Sequence, residues 1–147
     1  MSDSELIDLY SGRILELASD IPHAARLPQP DGTARRRSPL CGSTVTVDIS
    51  LDDNKISAFG QDVKACALGQ AAASVVGRTV IGLDRPAIEK ARLELEAMLK
   101  QDGPAPSPPF DELKVLMPAR GFKNRHASIM LCLEALCDAF DEADTTS

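Results

Sequence analysis

The chain has 147 residues, 44% of them hydrophobic and 26% charged, and a formal net charge of -6. That length suits one domain with a real core, and the acidic balance argues against a nucleic-acid duplex as the main partner, because phosphate binding is carried by Lys and Arg. No stretch comes near the roughly 18 apolar residues of a membrane span, and with no Trp, one Tyr and four Phe the core must be largely aliphatic.

The opening MSDSELIDLYSGRILELASDI starts acidic and turns amphipathic, unlike a secretion signal with a basic start and an apolar block. A cytoplasmic location is expected, where thiols stay reduced. Within residues 4 to 21, Leu6, Ile7, Tyr10, Ile14, Leu17 and Ala18 form one apolar stripe at helical spacing, ended by Pro22. Residues 22 to 39, rich in Pro, Arg, Gly and Asp, show no convincing periodicity and read as an ordered or semi-ordered loop. From 44 to 51, Val45, Val47, Ile49 and Leu51 alternate with polar residues, a half-buried strand with one wet face. Asp52-Asp53-Asn54 makes a turn and KISAFGQDV returns as a second strand.

Beyond the hairpin, KACALGQAAASVVGRTV carries a run of small residues, Ala71 to Ser74, suited to a closely packed helix. Asp84-Arg85-Pro86 is a helix start, and Ile88, Ala91, Leu95, Met98 and Leu99 carry an amphipathic helix to about Gln101. DGPAPSPP is a short internal linker. Phe110, Leu113 and Leu116 suggest a short helix cut by Pro118, and a last helix over about 123 to 141 holds Ile129, Leu131, Cys132, Leu136 and Phe140. The order predicts an α+β fold: an N-terminal helix and a small antiparallel sheet of about three strands, packed by several C-terminal helices. Residues 1–147 are expected to form a single domain, with 1–4 and 142–147 lacking order.

The four cysteines, Cys41, Cys66, Cys132 and Cys137, are separated by 25, 66 and 5 residues, which matches no zinc-finger pattern. Cys41 sits in the turn feeding the first strand, before Gly42 and after Arg35, Arg36 and Arg37. A guanidinium folded back onto the sulfur would favour the thiolate, which is both nucleophile and metal ligand; a structural cysteine near a solvated Arg run is the plainer alternative. Cys66 precedes a helix, where backbone N–H groups favour a thiolate, or where a small residue simply packs. Cys132 and Cys137 read as core residues. His23, in a proline-bounded loop, reads as solvent-facing. His126, at the start of the last helix, reads either as a soft-metal ligand or as a polar residue of the helix start. No Ser-His-Asp set, phosphate-cradling loop or paired-carboxylate site is present in the sequence, so no enzyme with its own turnover is expected.

Three stretches, in order, resemble the U-type iron–sulfur cluster scaffold family of IscU, SufU and the NifU N-terminal domain. LYSGRILELASDIPHAARLPQPDGTARRRSPLCGS is similar to its opening helix, proline-bounded loop and first-cysteine turn; KACALGQAAAS is similar to its second-cysteine segment; MPARGFKNRHASIMLCLEAL is similar to the segment running into its last helix. The resemblance, over about residues 5 to 140, implies a non-catalytic scaffold that holds a labile 2Fe–2S cluster or zinc on thiolates. Such a scaffold takes sulfur from a cysteine desulfurase and passes its cargo to acceptor apo-proteins or carrier proteins. It implies Cys41 and Cys66 as metal ligands and sulfur acceptors, without nucleic acid or membrane, in a monomer or weak homodimer. Two positions depart from the family pattern. Ser43 stands where the family has Asp, and Ser128, or Ala127 on a second alignment, stands where it has a third cysteine. His126, Ser128 and Cys132 are the residues available to complete a metal set. The alternative implied is a sulfur acceptor and desulfurase partner that keeps the fold without stable cluster binding.

Overall fold

The alternation of Val45, Val47 and Ile49 becomes strand β2 (Thr44–Asp52), whose inward face pairs with Val63, Gln61 and Phe59 of strand β3 (Lys55–Lys64). A two-residue loop joins them, with Asp53 at φ 54° and Asn54 at φ 64°. Two left-handed residues in succession give the turn whose twist matches that of the flanking strands, and Asp and Asn tolerate it well. The computed structural model describes residues 12–39 and 42–146.

A third strand, β1 (Gly32–Arg37), pairs antiparallel with β2 and gives the sheet order β1-β2-β3. It corrects the reading of residues 22–39 as loop throughout. Its sequence, GTARRR, hides the pattern because its core contact is made by Gly32 and Ala34 rather than by large apolar side chains. A Cβ at Gly32 would lie 2.1 Å from the Ala139 carbonyl oxygen, so only glycine lets this strand approach the last helix so closely.

The wet face expected for β2 is also partly covered. Asp48 is fully buried beneath the loop that precedes β1. Its carboxylate accepts from Arg26 Nε at 2.6 Å, Leu27 N at 3.0 Å and Thr33 Oγ1 at 2.6 Å. Burial pushes the Asp48 carboxyl up, but these bonds together outweigh it and hold it below the ordinary carboxylate value. Beside it, Gly60 has no side chain to strike the Ala25 carbonyl, which would lie 2.3 Å from a Cβ. One buried anion and one glycine thus seat a loop that has no periodic signal of its own.

On the other face lie the helices α1 (Gly12–Ser19), α2 (Ala67–Thr79), α3 (Arg85–Lys100) and α4 (Lys123–Thr146). A 3₁₀ helix, η1, covers Asp111–Gly121. Ile14 and Leu17 of α1 are buried; Leu6, Ile7 and Tyr10 lie outside the described residues. The small-residue run Ala71 to Ser74 is wholly buried between α1 and α4. Asp84 caps α3 by accepting from Ala87 N at 3.2 Å, and Pro86 stands in the first turn. η1 continues through Pro118 to Gly121 rather than stopping there. α4 is the central helix of the core, packing on β1, β2, α2 and α3. It continues to Thr146, past the point near 141 where the apolar pattern fades. No described helix is long and apolar enough to cross a membrane.

Candidate functional site

Cys66 stands at the N-cap of α2 in extended conformation, φ −67° and ψ 169°, and its side chain makes no capping bond. Its sulfur, half-buried, instead lies 3.5 Å from Ser128 Oγ on α4. Ser128 is buried and donates to Ser43 Oγ at 3.2 Å, in the segment leading into β2. The three stretches separated in the sequence therefore meet at one point.

Local backbone explains the meeting. Ser38 N donates to Ser43 O at 2.8 Å and Gly42 N to Ser38 O at 2.9 Å, closing the described ends of a turn in which Gly42 adopts φ +69°. On the opposite side, Gly69 of α2 lets α4 come in: a Cβ there would lie 2.6 Å from Ser128 Oγ and 3.1 Å from Ser128 O. Cys41, two residues before Ser43 in the chain, lies outside the described residues. Of the preceding arginines, Arg36 is bonded through Nε to Asp138 of α4 at 2.5 Å.

The other sequence candidates point elsewhere. His126 is buried, and its Nε2 lies 3.0 Å from Ala119 O and 3.1 Å from Arg120 O. Both partners accept only, so Nε2 carries the hydrogen and closes the end of η1. Two residues from Ser128, it stands on a different face of α4, beside a cavity of about 520 Å³ lined by Leu99, Lys100, Asp102, Arg120 and Lys123. Cys132, one turn beyond Ser128, is in the core, where its thiol donates to Gln61 Oε1 at 3.6 Å. Burial pushes that thiol up to about 12, so it is protonated at neutral pH. Gln61 Nε2 in turn donates to Pro22 O and Ala73 O, both at 3.1 Å. Cys137 is half-buried, with its thiol raised by burial, in a separate charged cavity of about 240 Å³ with Arg36, Arg92 and Glu134.

Among the described residues no group of three or more His, Cys, Asp or Glu side chains converges in a way that could hold a metal ion. What the arrangement offers is one accessible soft nucleophile backed by two buried hydroxyls. Sequence reasoning singled out Cys66 as a candidate and placed Ser43 and Ser128 at aligned positions, but it did not foresee that the two serines bond to each other. Serine at both of the positions that depart from the family pattern, 43 and 128, was the available signal.

No protein-family model matches the chain, and no curated protein does. Solved structures do. A nitrogen-fixing NifU-like protein (N-terminal) from Brucella abortus is 40% identical, with a TM-score of 0.93 over 97% of this chain and 99% of that one. A putative iron–sulfur cluster assembly scaffold protein for the SUF system from thermophilic Fervidobacterium islandicum AW-1 is 17% identical, with a TM-score of 0.82 over 90% of this chain and 96% of that one. A hypothetical protein is 22% identical with a TM-score of 0.72, over 90% and 97% of the two chains. The last two share the fold; with the first, shared identity runs through nearly the whole of both chains, and the chain belongs to the U-type scaffold family, in its NifU N-terminal form.

Proposed function

We propose that this protein is a non-catalytic scaffold in iron–sulfur cluster assembly whose working group is Cys66, acting with Cys41. It accepts sulfur from a cysteine desulfurase, holds a labile 2Fe–2S cluster or zinc as cargo on the two thiolates, and delivers it to apo-proteins or carrier proteins in the cytoplasm. Family membership supports the class of work. The observation that carries the assignment is Cys66 itself, uncapped at the start of α2 and packed against Ser128.

Sulfur arrives by exchange. The Cys66 thiolate attacks the terminal sulfur of the desulfurase persulfide, that S–S bond breaks, and the desulfurase thiolate leaves. The transferred sulfur keeps its oxidation state, so no oxidant or reductant is consumed. A thiolate is a soft, charged donor suited to both iron–sulfur cargo and zinc.

A second reading, the sulfur acceptor without stable cluster binding, is favoured by one observation. Ser43 and Ser128, at the positions where the family has Asp and cysteine, satisfy each other with a hydrogen bond. Two thiolates are half of a tetrahedral set, and neutral hydroxyls complete it poorly. Anaerobic reconstitution with iron and sulfide separates the two readings. Visible-region absorption that disappears in Cys66→Ala supports the cluster scaffold, and a colourless, metal-free product removes it in favour of the sulfur acceptor.

A further inference from the structure

Ser128 is 1% exposed and Ser43 4%. Burying a hydroxyl is unfavourable unless it is bonded, and even when bonded its net return is small. Packing alone would be served by alanine on a helix as apolar as α4, whose neighbours Ile129, Met130 and Leu131 are all buried. The hydroxyls nonetheless stand in a row: Ser43 Oγ is 3.2 Å from Ser128 Oγ, which is 3.5 Å from Cys66 Sγ. Gly69 keeps the space for this row open on the α2 side.

Each hydroxyl has one hydrogen and two lone pairs. With Cys66 as a thiol, S–H donates to Ser128 and Ser128 donates to Ser43. With an anionic sulfur on Cys66, the row can reverse: Ser43 donates to Ser128, and Ser128 donates to the sulfur. Only O–H rotations are needed. Cys66 and Ser128 are then bonded to each other in both states.

We infer that Ser128, seated by Ser43, is a positioning residue that holds the sulfur carried on Cys66, donating its hydrogen to the bound perthiolate. This rests on Cys66 as the sulfur-accepting thiol, but not on which donor loads it. The Ser43–Ser128 row distinguishes this chain from a site built on a carboxylate and a third thiolate, because it stabilises bound sulfur while adding no charge to attract a metal ion.

The experiment loads the purified chain with inorganic polysulfide, removes the excess, and follows the Cys66 persulfide with time by mass spectrometry of its peptide. A hydrogen bond to an anionic group is worth about 1.5 kcal/mol or more, so Ser128→Ala and Ser43→Ala are each expected to shorten its lifetime about tenfold. Ser128→Thr, which keeps the hydroxyl, is expected to stay within about threefold of wild type. Circular dichroism and thermal unfolding identify any variant that is not folded, and the remaining two variants then decide. Equal lifetimes in wild type and the folded alanine variants overturn the inference. So does loss in Ser128→Thr equal to that in Ser128→Ala with the fold intact. Failure of a cysteine desulfurase to load wild type, with polysulfide loading and its lifetimes unaffected, counts against the proposed function alone.

Discussion

Ser128 on α4 donates to Ser43 ahead of β2 at 3.2 Å, a bond spanning 85 residues of sequence. A carboxylate and a thiolate in these two places would be adjacent anions that need a cation between them. Two hydroxyls need none. A pair of hydroxyls in these two places therefore changes the electrostatic demand of the site: it adds no charge beside Cys66.

Ser128→Cys is expected to restore that demand. A second thiolate then stands beside Cys66, and zinc affinity should rise on the order of tenfold or more, the scale on which even outer-sphere groups act. Competition with a chromophoric zinc chelator measures it, and an affinity unchanged from wild type would show that position 128 does not face the cargo.

Gly69→Ala offers a test whose sign is informative. In an ordinary helix interior this change stabilises by about 1 kcal/mol. Here the new methyl would lie 2.6 Å from Ser128 Oγ and 2.9 Å from the Ala65 Cβ. We expect destabilisation by about 1–3 kcal/mol, the usual range for overpacking, read by urea unfolding.

Much of this was legible in the sequence, for identifiable reasons. The β2–β3 hairpin announced itself through alternation and an Asp-Asn turn, and α3 through Asp84, Pro86 and its apolar spacing. Cys66 at a helix start was legible for the same reason, since its position depends on local order. What escaped depends on contacts distant in sequence. β1 shows no alternation because glycine and alanine make its core contacts. Asp48 reads as a wet residue until the loop before β1 closes over it. His126 offers a ligand reading beside the plainer one of a helix-start residue until η1 presents two carbonyls to its Nε2.

Asp48→Asn is expected to lower stability at pH 7 by about 2 kcal/mol, the scale of hydrogen bonds to a charged group. The sign of the pH dependence follows from the direction of the shift. The folded carboxyl sits below its ordinary value of 3.8, so its contribution is complete above that value and is lost as pH falls through the lower folded one. The difference between wild type and variant should therefore shrink between about pH 5 and pH 2, as followed by urea unfolding across that range.

Alkylation separates the cysteines without any mutation. At neutral pH in the native state, iodoacetamide should modify the half-buried Cys66 well before Cys132, which is buried and protonated beside Gln61. Peptide mass spectrometry reads both sites, and modification of Cys132 at the rate of Cys66 would contradict its placement in the core.

Gln61→Leu tests the second buried row, one turn further along α4. It removes donors to Pro22 O and Ala73 O and the acceptor of the Cys132 thiol. With Pro22 O and the Cys132 thiol each losing this partner, stability should fall by about 1–3 kcal/mol, measured by thermal or urea unfolding. Cys66 should still accept sulfur in the folded fraction, because the two rows share no side chain.

The central claim is that Cys66 handles sulfur for cluster assembly, and one measurement addresses it most directly. The intact chain is incubated with a cysteine desulfurase and L-cysteine, and its cysteine peptides are weighed. The expected result is one added sulfur atom on the Cys66 peptide of wild type, absent when Cys66 is replaced by alanine. Wild-type peptides that gain no sulfur at Cys66, from a chain that also forms no complex with the desulfurase, would contradict it.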